Sequence, residues 1–221
     1  MATRTAAAKK KSDWRILTGL LLLCAFPIVA GSTRVAELSS SAPVTPENAR
    51  FFAVPLPVIV HIVAASLYCV VGAFQFAPGL RRRRLGLHRV SGRALVPLGL
   101  AAALSGLWMT FFYPSPPGDG ALLFAFRIFF GSGMVVALVL GTVAVLRRDI
   151  RRHRGWMIRG YAIGMGAGTQ VFTHLPWAVA FGAPGEFTHA LLMAAGWVIN
   201  LAVAEWVIGR TARPAALASH G

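Results

Sequence analysis

The sequence predicts an all-α protein, a polytopic transmembrane helix bundle of about six helices with both termini cytoplasmic. Three observations predict it. Of the 221 residues, 56% are hydrophobic and only 13% are charged, where a soluble domain carries about 25% charged residues. Several apolar runs exceed the roughly 18 residues that cross a hydrocarbon core as a helix. The arginines and lysines gather in every second loop between those runs, all on one side of the membrane, which is the positive-inside pattern.

The first apolar run is Ile16–Gly31, behind the basic stretch "KKKSDWR". Small residues in "FPIVAGS" would suit a signal-peptidase site, but a retained helix is the reading adopted, and cleavage would leave the rest of the topology unchanged. The second run is Val54–Phe76, the third Ala94–Phe112 and the fourth Ala121–Leu146. The fifth is Tyr161–Phe181 and the sixth Phe187–Ile208. A flexible basic tail is expected over 1–13, one transmembrane domain over 14–209, and a disordered carboxyl tail over 210–221, with His220 in it.

Orientation follows from the loops. Arg4, Lys9, Lys10, Lys11 and Arg15 precede the first run, Arg81 to Arg84 follow the second, and Arg147, Arg148, Arg151 and Arg152 follow the fourth. The turns "PSPPGDG" and "GAPGEF" carry no basic residue. The net charge of +15 therefore marks a membrane surface and not a nucleic-acid face. The expected partners are anionic lipid at the cytoplasmic face and a homo-oligomeric or other membrane companion, with nucleic acid excluded.

Polar residues inside apolar runs carry the functional information, because each is costly in hydrocarbon. His61, Arg127 and His174 fall about 10 Å from the outer boundary on three different runs, with His189 at the outer mouth of the sixth. His88 and His153 open the third and fifth runs at the inner side, near Gln75, and Asn200 and Glu205 lie in the inner half of the sixth. One reading makes His61, His88, His153 and His174 ligands of b-type haem, with arginines on its propionates. Another makes His61, His174 and Arg127 the lining of a cavity for an anion or a quinone. Structural roles stand beside both: Arg127 snorkelling, His61 bonding a neighbouring helix, and His174 bonding carbonyls freed before Pro176. Glu205 is expected to pair with a loop arginine. Cys24 and Cys69 are expected as buried thiols, and no metal is assigned.

Two further patterns concern packing and ancestry. Gly160, Gly164 and Gly168 share a face, as do the small residues of "GLAAALSG" at 99–106, so these helices are expected to pack closely. "HRVSGR" at 88–93 and "HRGWMIR" at 153–159 follow their apolar runs alike, which suggests a duplicated hairpin. Trp14 and Trp156 are expected at the membrane interface.

The segment "GAFQFAPGLRRRRLGLHRVSGRA" resembles the "FQF … LHR-x2-GR" segment of a bacterial membrane-protein family, domain of unknown function 2306. "HRGWMIRGYA" resembles its "HR-x-WMIR-x-YA" segment, "NLAVAEWVI" its closing helix, and His61–Ile62 also fits. The resemblance covers about Phe52 to Ile208. It implies a multi-helix fold in the bacterial inner membrane. It points to His61, Gln75, His88, Arg89, Arg93, His153, Arg154, Trp156, Arg159 and Tyr161. Of these, Gln75 and Tyr161 join Arg127 as cavity candidates, and Arg89, Arg93, Arg154, Arg159 and Trp156 as membrane-surface residues. Where the chain has Gln170 the family favours arginine, and His174 lies outside the shared pattern. The expected function is a non-enzymatic small-molecule transporter or membrane partner subunit; the alternative is a redox protein binding haem b or quinone.

Overall fold

The computed structural model describes residues 2–76 and 84–212, with side chains for 14–76 and 84–211. Among the described residues there are eight helices and no strand. They are α1 Ala2–Leu38, α2 Ala49–Ala53, α3 Pro55–Gln75, α4 Leu85–Phe112, α5 Ala121–Leu146, α6 Ile150–Gly164, α7 Gly166–Phe181 and α8 Glu186–Ala212. The side chains of the expected tail at 1–13, residues 213–221 of the expected carboxyl tail with His220, and Arg81 to Arg83 lie outside the described residues.

Among the described residues, five helices are each long and apolar enough to cross a membrane: α1 over Trp14–Leu38, α3, α4, α5, and α8 over Glu186–Thr211. The expected span at Tyr161–Phe181 differs. Its residues divide between α6 and α7, which stop and restart on either side of Met165. At 15 and 16 residues, neither reaches the ~20 that a crossing needs, so a sixth crossing requires the two in series. The break lies in "GMGAG", where glycine weakens the helix. A β-carbon on Gly166 would fall 2.3 Å from Nε1 of Trp197, so the α8 indole occupies the space that any other residue would need.

The chain forms two compact units, one ending at Pro114 and the other beginning at Ser115. In the first, α1 and α4 both pack on α3, and α2 caps it. Pro55 starts α3 at a position where its missing N–H costs nothing. Tyr113 ends α4 in extended backbone and donates its hydroxyl to the carbonyl of Val54 at 2.5 Å, tying the two helix ends together. Asn48, buried in the α1–α2 connection, donates to Glu37 Oε1 (2.5 Å) and to the Pro43 carbonyl (3.1 Å) and accepts from the Thr45 amide (2.7 Å). The small-residue face of α4 is its contact face, with Gly99, Ala102, Ala103 and Ser105 buried.

In the second unit α5 packs on α6 and α7 on α8, and α8 also lies against α5 and α6. Glycine sets the closeness of the α5–α6 pair. A β-carbon on Gly141 would fall 2.2 Å from Cε of Met157, and one on Gly160 would fall 3.3 Å from Leu138. The turn between them is compact. Arg148 adopts a left-handed conformation (φ 62°), and the Asp149 amide reaches back to the Ala144 carbonyl at 2.9 Å. Asp149 then caps α6, its carboxylate accepting from the Arg152 amide at 2.9 Å.

Two substitutions test this turn by thermal unfolding in detergent. Arg148→Gly removes the side-chain clash of the left-handed conformation and is expected to stabilise by about 1 kcal/mol. Asp149→Ala removes the cap and is expected to destabilise by about 1 kcal/mol. Equal melting temperatures for all three proteins would contradict this reading of the turn.

Candidate functional site: a histidine pair in the second unit

The polar groups of the second unit meet at the end where α5 begins and α7 gives way to α8. Arg127 lies in the second turn of α5, and helical side chains lean toward the helix N-terminus. It reaches back accordingly and donates through Nη1 to Oδ2 of Asp119 at 2.6 Å. The other oxygen of Asp119 is 3.4 Å from Nε2 of His189. His189 Nδ1 lies 3.1 Å from Nε2 of His174, and His174 Nδ1 lies 2.8 Å from the Gln170 carbonyl. Glu186 packs over Gly120, where even a methyl group would overlap its carboxylate.

Hydrogen positions in this array follow from its acceptors. A carbonyl can only accept, so His174 carries its proton on Nδ1. One further proton must lie in the His189 Nδ1–His174 Nε2 contact for a bond to exist there. On its other side His189 turns Nε2 toward Asp119 at ion-pair distance, so the two imidazoles stand in series between a carbonyl and a carboxylate that Arg127 holds.

Below it a polar seam follows the α7–α8 contact. Thr173 donates to the Leu192 carbonyl (2.8 Å), Gln170 to the Met193 carbonyl (3.0 Å), and Thr169 to Oδ1 of Asn200 (2.7 Å). Asn200 in turn donates to the Ala162 carbonyl at 3.1 Å. Gln170 and Thr169 are buried. The seam ends where Arg159 grips Glu205 through two bonds, Nε to Oε1 at 2.5 Å and Nη2 to Oε2 at 2.8 Å. From His189 to Glu205 the seam follows about 24 Å of α8, most of a ~30 Å hydrocarbon core.

The remaining candidates take separate places. His153, in the first turn of α6, donates from Nδ1 to the Gly141 carbonyl of α5 at 2.8 Å and so clamps the hairpin. Tyr161 is buried. Trp156 carries the Arg159 guanidinium 4.9 Å above its ring, so Arg159 serves both this stack and the Glu205 pair. Arg154, Arg89 and Arg93 are exposed. In the first unit, His61 Nδ1 donates to the Ala102 carbonyl at 2.8 Å, with its ring against Gly106 and the Ser105 hydroxyl 3.3 Å away. His88 and Gln75 line a cleft at the other end of that hairpin.

These positions bear on haem. In the first unit the His61 bond lies level with Ala102, about 21 Å along α4 from His88. In the second, about 30 Å of helix separates His153 from His174. Among the described residues of each unit taken by itself, the one histidine pair at a common level is His174–His189, whose rings bond each other. Among the described residues no cluster of three or more His, Cys, Asp or Glu has the arrangement of a metal site.

His189 was placed near this level from the sequence, but the Asp119 link between it and Arg127 was not, because Asp119 lies in a turn outside the apolar runs. The available signal was the short "GAPGEF" turn, which brings the end of α7 beside the start of α8.

An all-helical chain with five crossing-competent helices and interhelical polar bonds at hydrocarbon depth is a multi-span membrane protein. It belongs to the DUF2306 family, described as a predicted membrane protein, whose model matches residues 58–208. No curated protein and no solved structure matches the chain.

The Thr169–Asn200 bond can be weighed by a double-mutant cycle in bicelles. Thr169→Val and Asn200→Val are each expected to destabilise, with a coupling of about 0.6 kcal/mol, the mean for interhelical bonds in a bilayer. Strict additivity would mean that the two side chains are not bonded there.

Proposed function

We propose that the protein is a non-enzymatic small-molecule carrier of the bacterial inner membrane that couples solute movement to a proton. The observation that carries the reading is the bonded His174–His189 pair with its Asp119 counter-charge. A proton lost from such a pair opens only the contact of His189 with Asp119, while His174 stays bonded to Gln170 and Asp119 to Arg127. With the arginine-rich loops inside, the pair exchanges protons with the outer side. The break at Met165 supplies a second requirement of a carrier. It makes the α6–α7 segment, which bears His174, a discontinuous helix, and discontinuous helices form the binding sites of many transporters.

A b-type haem or quinone protein is the second reading. His61 and His153 each give Nδ1 to a backbone carbonyl, the attachment that ligating imidazoles use, which leaves Nε2 for a ligand. The visible spectrum of the purified protein, before and after dithionite, separates the readings. A stoichiometric Soret band lost in His61→Ala would replace the carrier with a cytochrome.

Transport is tested in proteoliposomes loaded with a pH-sensitive dye and challenged with a panel of small anions and amines. At least one solute is expected to drive a proton signal, and His189→Gln is expected to slow it about a hundredfold. Solute flux with no proton movement, or flux indifferent to His189→Gln and His174→Gln, would overturn the proposal.

A further inference from the structure

In the first unit α1 is held along one narrow stripe. Among its described side chains only Leu17 and Cys24 are buried, and Gly31 continues their seven-residue spacing. Seven residues make nearly two helical turns, so the three positions share the face that packs on α3. Gly31 sets the register, because a β-carbon there would fall 2.8 Å from Cγ2 of Ile62 on α3. The Glu37–Asn48 bond joins the end of α1 to the connection that leads into α3, so the two helices run antiparallel. Stepping seven residues back from Gly31 and seven forward from Ile62 therefore reaches one level, about 10 Å away. The residues at that level are Cys24 and Cys69. Both thiols are buried, at 2% and 8% exposure, and they lie near enough to act on each other's charge. Cys24 donates to the Leu21 carbonyl of its own helix at 3.2 Å.

Two thiols that face each other in hydrocarbon have two chemistries open to them. Capture of a soft metal needs thiolates, and hydrocarbon penalises charge. A disulfide is neutral, and so is its formation when one oxidant takes two electrons with two protons. Quinones dissolved in the bilayer do this, and they reach the depth of Cys24, about 15 Å into the crossing segment that begins at Trp14. We infer that Cys24 and Cys69 form a reversible disulfide that fastens α1 to α3, with a lipid-soluble quinone as the oxidant. Cys69, the more exposed of the two, adds its sulfur to a quinone carbonyl carbon and passes its proton to the carbonyl oxygen. The Cys24 sulfur then attacks the Cys69 sulfur, as in thiol–disulfide exchange, and the S–C bond breaks. Its electron pair stays with the ring, and the Cys24 proton completes the hydroquinone. The family match begins at residue 58, so the bond ties a helix that precedes the matched segment to one within it. This site is independent of the proton chemistry of the second unit.

The full chain in liposomes, treated with decylubiquinone or with its hydroquinone, tests the pair. After unfolding in dodecyl sulfate, a maleimide-polyethylene glycol tags each free thiol and shifts the band on a gel. The hydroquinone sample is expected to carry two tags, one per cysteine. The quinone sample is expected to run as an untagged monomer that regains both tags after dithiothreitol. Cys24→Ser and Cys69→Ser should each keep the single remaining tag under both treatments. Loss of that tag to quinone would mark a quinone adduct and overturn the disulfide. A covalent dimer in place of the monomer would overturn the pairing of α1 with α3. Two tags retained after both quinone and molecular iodine would also overturn the pairing, and closure by iodine but not by quinone would overturn quinone as the oxidant.

Discussion

A polar group within hydrocarbon must find its partner inside the protein, because no water is there to supply one. Most of the side-chain geometry in this chain follows from that requirement. Ser105 and Thr110 return their hydroxyls to their own helix, at Ala101 and Gly106. His61 and His153 each reach across to a carbonyl on the adjacent helix. Such carbonyls already serve a helical bond and offer a second lone pair, so the cross-link costs the helix nothing. Glycine and alanine at the contact faces make the reach short enough, which is why Gly106 lies under the His61 ring.

The same requirement gives the second unit its special character. Along α7 and α8 the polar residues bond one another or the opposing backbone, from Thr173 to Asn200. At the top of this seam the bonding chain closes on an ionised pair, Asp119 with Arg127. A seam of amides and hydroxyls has fixed protons. Imidazoles are different, since each nitrogen can donate or accept according to what faces it. Two of them in series, between a carbonyl and a carboxylate, make a row along which a proton can pass, and a change in proton count alters only the contact with Asp119. The arrangement therefore separates holding α7 and α8 together, done by Thr169, Gln170 and Asn200, from handling a proton, done by His174 and His189.

Much of this was legible in the sequence. Length and hydropathy located the runs that became α3, α4, α5 and α8, and glycine spacing marked a close-packed face at Gly160 without showing that its partner is α5. The pairing of Glu205 with an arginine followed from the cost of a lone carboxylate beside an apolar run. The division at Met165 was not legible, because hydropathy continues unbroken through "YAIGMGAGTQV". The break depends on Trp197, which is distant in sequence and packs where Gly166 has no side chain. The histidine pair was half visible. Depth counting put His174 with Arg127 and His189 close to them, but nothing in the sequence showed that Asp119, in the turn before α5, joins Arg127 to His189. Depth also grouped His61 with them, whereas its Nδ1 bond lies within its own α3–α4 hairpin.

The most direct test of the account is nitrogen-15 NMR of histidine-labelled protein in bilayers, with His174 and His189 assigned by substitution. The account predicts an N–H on His174 Nδ1 and a hydrogen bond between the two rings, with His189 nitrogen shifts that move when Asp119→Asn removes the counter-charge. No bond between the rings, or His189 shifts that Asp119→Asn leaves unchanged, would contradict it.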